Sequence, residues 1–440
     1  MWNYPRAALL AFWYLAQGLG MAFLVKYSRK GSLLRIVGFT CVAAVQYFFY
    51  TSSFTLGNNI LYSASLASMS PALFAHCINI LFINPIDAQH GLGISIGLNL
   101  RGIGTPWLAK NTPEFPSYYG GRRPGRFTFL LRQSAIVIWQ YLMIDLLEAA
   151  GSAQSPEEIQ MVQGLGSEFM YLSATKEQLI ARIATSLVSN CVMSRMMVDG
   201  VARLLSIISV GLRISNPSDW PPLFNSMWDA YTLRNYWGYP LPIHALRHIT
   251  IMTNTAATIY YLRSKFWHQM LRWPFTSISN YLTRRVLRLP RPSFLERYLN
   301  ILFVFSLSGI LHVPFLATTS ISILDSWRGS MLYFTSFTLG FMIEDTAQAL
   351  WRRLGVEKLG SQPASAGVTV FKRVVGMLWV ISFMCMTVPF FGYPVSRVPA
   401  ERRELIPSGF SIVRVVGPEP VLGAVGVGAL FLKFVFGAGL

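Results

Sequence analysis

Of the 440 residues, 53% are hydrophobic and only 13% are charged, and the mean hydropathy is +0.43. A soluble globule does not carry so much apolar sequence, so the composition points to a polytopic membrane protein. The net charge of +18 does not indicate nucleic acid, because the basic residues fall between apolar runs, the pattern that orients a membrane protein, and not on one face of a soluble domain.

Apolar runs of spanning length occur at Ala7–Val25, Leu33–Tyr50, Ile60–Ile83, Phe127–Ala149, Gln178–Leu212, Phe294–Thr318, Ser330–Leu350, Val374–Tyr393 and Val421–Leu440. They predict an all-α bundle of about eight to ten transmembrane helices in a single domain, 1–440. The first run is too long for a typical cleaved signal and reads as a retained anchor. The fifth carries Arg182, Arg195, Asp199 and Arg203, which suits an amphipathic piece joined to a spanning piece. Cys41, Cys77, Cys191 and Cys385 are widely spaced in apolar surroundings and read as packing residues, with neither a disulfide framework nor a metal site.

With the amino terminus in the lumen, the loops 26–32, 84–126, 213–293 and 351–373 become cytosolic, and they hold most of the loop arginines and lysines. The last lumenal loop, with Arg397, Arg402, Arg403 and Arg414, runs against that rule. Two cytosolic loops, 84–126 and 213–293, are too long to be plain connectors. The second contains Tyr236-Trp237-Gly238 and Phe266-Trp267-His268-Gln269, with Arg284, Arg285, Arg288 and Arg291 further on.

The run Phe294–Thr318 holds His312 fifteen residues past Arg297, which is roughly 20 Å along a helix and therefore deep in a bilayer. Ser308 lies one turn earlier on the same face, and Gly309 beside it permits close approach of a neighbour or a substrate. An ionisable side chain at that depth faces a bundle interior or a cavity and marks a functional candidate. The structural alternative is a histidine hydrogen-bonded between packed helices.

Three stretches in order, P-P-L-F-N-S-M-W-D-A-Y-T-L-R-N-Y-W-G at 221–238, K-F-W-H-Q at 265–269, and Asn300 followed by S-G-I-L-H at 308–312, resemble the wax-synthase-like branch of the membrane-bound O-acyltransferases. Within that branch the chain is most similar to the acetyltransferases of fungal terpenoid and meroterpenoid pathways. The resemblance covers about residues 95–390, and Glu344-Asp345 matches a paired acidic position that follows the histidine helix in that group. It implies transfer of an acetyl group from acetyl-CoA to a hydroxyl of a hydrophobic terpenoid or meroterpenoid, by a multi-pass protein of the endoplasmic reticulum. His312 then acts as general base on an alcohol that is otherwise a poor nucleophile. His268, Gln269 or Asn300 supplies a donor to the tetrahedral oxyanion, with Trp267 and Ser308 shaping the site. Arg284, Arg285 and Arg288 are candidates for the phosphates of the donor, and equally for lipid headgroups. Glu344 and Asp345 either orient a catalytic group or pair with Arg352 and Arg353.

The chain departs from the family pattern once. There W-G is followed almost at once by x-F-W-H-Q, whereas here 26 residues, Tyr239 to Ser264, intervene, and they read as a translated, unspliced intron. Two other functions compete: long-chain acyl transfer, as in wax-ester synthesis, and small-molecule transport, which would show two related halves.

Overall fold

The computed structural model describes residues 4–55, 59–86, 99–109, 112–119, 124–171, 173–238, 267, 269–319, 321–353 and 366–437. His268 and the inserted stretch 239–264 lie outside the described residues. Within them the regular structure is helical, with no strand.

Three successive helices, α1 (Tyr4–Tyr27), α2 (Leu33–Ser53) and α3 (Ile60–Ile78), pack one on the next. Ser32 and Asn59 accept hydrogen bonds from backbone N–H groups in the first turns of α2 and α3 and so fix where these helices begin. The fully buried Arg35 donates to the carbonyls of Ser28, Leu81 and Ile86, which ties the α1–α2 turn to the end of α3. Next come α4 (Arg126–Ser152), the short α5 (Pro156–Gln163) with its Ser155/Glu158 capping box, and α6 (Lys176–Ala184). A π-helical stretch, Thr185–Met193, joins α6 to α7 (Ser194–Gly211). The long loop contributes α8 (Leu233–Trp237) and α9 (Arg272–Tyr281). They precede the histidine helix α10 (Phe294–Ala317), α11 (Ile323–Arg353) and α12 (Ala366–Thr387). The chain closes with α13 (Pro389–Ser396), α14 (Ala400–Arg403), α15 (Ile412–Val416) and α16 (Pro418–Phe436).

Among the described residues, seven helices are long and apolar enough to cross a membrane: α1, α2, α3 with its extension to Ile83, α4, α10, α12 and α16. The two other expected spans are helices as well, but charge sets them apart. The α6–α7 region carries Arg195, Asp199 and Arg203, and α11 carries Glu344 and Asp345. The expected span at 374–393 is broken at Val388, where Pro389 opens α13, because proline has no N–H to continue a helix but suits the first position of a new one.

The site is positioned by one packing feature. Helices α10 and α11 run against each other, and α3 packs on the other side of α10. Gly309 lets α11 come close: a Cβ there would lie 2.9 Å from Met331 Sδ, and Ser330 Oγ donates to the Gly309 carbonyl at 2.8 Å. Around this pair a largely aromatic core gathers Phe305, Phe334, Phe337, Phe341 and Phe383 with Leu233 and Tyr236 of α8. The loop segment bearing α8 therefore enters the bundle instead of lying over its end.

Candidate active site

His312 sits on α10 with its ring stacked on Phe334 of α11 at 4.4 Å and 30°, and with Phe315 and Phe391 each at 5.9 Å. It packs against the bundle's aromatic core and is half-buried, where the sequence called for a buried histidine facing the bundle interior or a cavity. Nδ1 lies 2.7 Å from the Ser308 carbonyl oxygen. A carbonyl can only accept, so in the neutral ring this contact puts the proton on Nδ1 and leaves the Nε2 lone pair available. The contribution of Ser308 is thus its main-chain oxygen, one helical turn back.

Trp267 joins the same aromatic wall. Its indole stacks on Tyr236 at 5.5 Å and 20° and lies 5.6 Å from Trp237. Trp237 in turn packs on Phe337 at 5.0 Å, on Phe305 at 5.5 Å and on Phe334 at 6.5 Å, and Phe334 carries the histidine. A continuous run of rings therefore links the W-H-Q segment to His312.

Gln269 and Asn300 are engaged elsewhere. Buried Gln269 donates through Nε2 to the Trp267 carbonyl at 2.7 Å and accepts through Oε1 from Arg272 at 2.8 Å. Arg272 also donates to the Gly238 carbonyl at 2.6 Å. Gly238 has φ +77°, and a Cβ on it would lie 2.6 Å from Gln269 Nε2, so glycine is required here both for the left-handed turn and for the approach. Asn300 donates to Asn280 Oδ1 at 2.8 Å and accepts from Ser279 Oγ through its carbonyl, a clasp between α9 and α10. Twelve residues along one helix put Asn300 about 18 Å from His312, so the structure does not bring these two together.

Of the arginines preceding α10, Arg284 pairs with Glu296 at 2.9 Å, as does Arg291 at 3.1 Å. Arg285 and Arg288 are exposed.

Glu344 and Asp345 do not pair with Arg353, and the described contacts of both point inward. Glu344 accepts from the backbone N–H of Leu233 at 2.5 Å and of Arg234 at 3.4 Å, and from Trp379 Nε1 at 3.0 Å. Asp345 binds Arg234 and Arg297, each at 2.5 Å, and the Tyr298 hydroxyl. The reason is positional: the start of α8 presents unpaired N–H groups to α11, and a carboxylate satisfies them. The acidic pair thus anchors the segment that delivers Trp237 to the core.

Sequence reasoning did not single out Trp237, Phe334, Phe391 or the Asn190–Tyr333 hydrogen bond of 3.1 Å behind them. The signal for Trp237 was present in the Tyr-Trp-Gly cluster. Trp237 Nε1 is buried without an acceptor among the described residues, an arrangement that costs roughly 1–3 kcal/mol.

A family model described as the membrane bound O-acyl transferase family matches residues 248–336. The chain is 37% identical to acetyltransferase atnC of Arthrinium sp, over 98% of each chain. It is 34% identical to acetyltransferase pyr8 of Aspergillus fumigatus, over 92% of this chain and 90% of that one. It is also 34% identical to acetyltransferase TRI7 of Fusarium sporotrichioides, over 89% and 85% respectively. No solved structure matches the chain.

Proposed function

Since the chain belongs to the membrane bound O-acyl transferase family and is a multi-pass O-acyltransferase, we propose that it moves an acetyl group from acetyl-CoA to a hydroxyl of a hydrophobic secondary metabolite of the terpenoid or meroterpenoid class. The observation that carries the chemistry is the Nδ1 contact of His312 with the Ser308 carbonyl, which orients Nε2 as a base on the aromatic wall shared with Trp267.

The acceptor O–H gives its proton to Nε2 as its oxygen attacks the thioester carbonyl. The tetrahedral oxyanion then collapses, the C–S bond breaks, and the departing thiolate recovers that proton from the imidazolium. One ester and one CoA thiol result, with no acyl-enzyme. Gln269 and Asn300 support the frame, and the indole N–H of Trp237, buried without an acceptor, is the oxyanion donor in this reading. His268 keeps its role as a second donor from its place in the W-H-Q segment. Arg285 and Arg288, exposed before α10, draw the anionic donor to the membrane surface. The endoplasmic reticulum suits an enzyme taking an oily alcohol from one side and CoA from the cytosol.

The stretch 239–264 is dispensable in the same reading. Its flanks already meet: the Trp267 N–H donates to the Tyr236 carbonyl at 2.8 Å, and Arg272 holds Gly238. Joining Gly238 to Lys265 leaves Lys265 and Phe266 to bridge that contact. The family match begins within the stretch, at residue 248, so the deletion is a sharp test. Deleting 239–264 should preserve or raise activity, and an inactive but well-expressed deletion overturns this part.

The activity is tested by incubating membranes containing the protein with labelled acetyl-CoA and a set of hydroxylated terpenoids. A product heavier by one acetyl unit is expected. Transfer from palmitoyl-CoA alone would instead assign the protein to long-chain ester synthesis.

A further inference from the structure

Behind the wall that carries His312 lies a polar pair that the reaction as derived so far does not use. Asn190 Nδ2 donates to the Tyr333 hydroxyl at 3.1 Å, and that hydroxyl lies 3.4 Å from Asn190 Oδ1. Tyr333 belongs to α11, one residue before Phe334, and its ring meets the same two rings as the imidazole does. It lies 4.7 Å from Phe334 and stacks on Phe391 at 5.6 Å and 25°, against 4.4 and 5.9 Å for His312. A single ring therefore separates the phenol from the base.

Asn190 comes from the π-helical stretch Thr185–Met193 between α6 and α7. Such winding inside a helix is rare and recurs at functional sites. The stretch is seated on α12 and α13: Ser186 Oγ donates to the Met384 carbonyl at 3.3 Å, and a Cβ on Gly392 would lie 3.0 Å from Thr185 Cγ2. Cys191, the next residue, accepts from the Tyr236 hydroxyl at 3.8 Å, and Tyr236 is the ring on which Trp267 stacks. The stretch thus touches the aromatic wall on two sides, through Tyr333 and through Tyr236.

A clasp between helices accounts for one hydrogen bond, but not for where the accessible surface lies. Asn190, Phe391 and His312 are half-buried, whereas Tyr333 and Phe334 between them are buried. Nor does one phenol use a whole amide. Asparagine offers two N–H donors and two carbonyl lone pairs; Tyr333 takes one of each, and the Cys191 thiol, a weak partner, takes one more. The polar capacity that remains belongs to a neutral group with accessible surface, one ring away from the base. A hydroxyl both donates and accepts, so it fits whichever site is left. A phosphate or carboxylate does not fit, because neither an amide nor a phenol balances its charge.

We infer that Asn190, steadied by Tyr333, is a specificity-determining residue: it hydrogen-bonds a second hydroxyl of the acceptor while His312 receives the hydroxyl that reacts. The part given to His312 rests on the proposed function, while the binding of a second hydroxyl does not. A site built to hydrogen-bond a hydroxyl rejects the analogue that lacks it, since its own polar group is then left unpaired. The preferred acceptor is accordingly an oily alcohol already oxygenated at another position.

The test measures binding without turnover. Full-length protein in phosphatidylcholine nanodiscs, with empty nanodiscs as the blank, is incubated with terpenoid diols, each paired with a mono-alcohol that keeps one of its hydroxyls, sclareol and manool among them. The wild type should retain at least one diol about tenfold better than its mono-alcohol, the scale of one hydrogen bond to a buried polar site. Asn190→Leu, close to asparagine in volume, should abolish that ratio by weakening the diol while mono-alcohol binding holds. Tyr333→Phe keeps the ring against Phe334 and Phe391 and should lower the same ratio. A clasp with no part in recognition would weaken both members of a pair alike. If the wild type shows no preference for any diol, or both variants keep its ratio, the inference is wrong; where Asn190→Leu does not fold, the Tyr333→Phe ratio decides alone. Diols held through Asn190 that accept no acetyl group from acetyl-CoA would remove the proposed activity and leave this site standing. Acetyl transfer with unchanged ratios would do the reverse.

Discussion

At the scale of single residues, His312 was legible because it is an ionisable group inside an otherwise apolar run, where any such group stands out. Its neighbours were not. Phe334 and Phe391 are two among 30 phenylalanines, and nothing in a run of apolar residues marks which ring will stack on an imidazole. Asn300, whose place in a family-like pattern suggested a donor to the reaction, has its amide bonded to Asn280 on α9. In the aromatic wall, Trp237 Nε1 is a buried donor with no acceptor among the described residues. Trp237→Phe keeps the packing against Phe305, Phe334 and Phe337 and removes only the N–H. Acetyl transfer should therefore fall in kcat by about a hundredfold, with protein yield, thermal stability and the KM for acetyl-CoA little changed. Unaltered kcat would remove the indole from the oxyanion site.

At the scale of elements, most helix positions followed from apolar runs of spanning length, and the structure adds the N-caps Ser32, Asn59 and Ser293 that fix where three of them begin. The short α8 did not announce itself. Five residues carry too little periodicity to read, so the length of the loop 213–293 marked it as more than a connector without locating the helix. What holds α8 inside the bundle is the pair Glu344 and Asp345, whose partners on α8 lie more than a hundred residues away in the chain. Sequence proximity favoured Arg352 and Arg353, whereas the described partners sit on α8, α10 and α12. Replacing Glu344 by Ala removes the acceptor of the Leu233 and Arg234 N–H groups and of the Trp379 indole. Each such charged bond is worth about 1.5–3 kcal/mol, so the variant should melt at a lower temperature in detergent. Because α8 carries Trp237, kcat should drop with it. A variant that loses neither would show that the acidic pair does not position the aromatic wall.

For the whole molecule, composition alone excluded a soluble protein and called for an all-helical membrane bundle, and the described structure is one. Counting spans was harder, because α7 and α11 hold charged residues that serve the interior and lower the apolarity on which such counts depend. α11 also supplies Phe334 and Phe337 to the aromatic wall, so the polar positions that lowered its apolarity anchor the segment that completes that wall. Everything in the account converges on the imidazole of α10 acting as a base. Its most direct test is the rate of labelled acetyl transfer in membranes holding equal amounts of wild-type protein and His312→Ala, with CoA binding measured in parallel. The account predicts a loss of at least about a hundredfold in rate with CoA binding retained. Turnover at the wild-type rate in His312→Ala would contradict it.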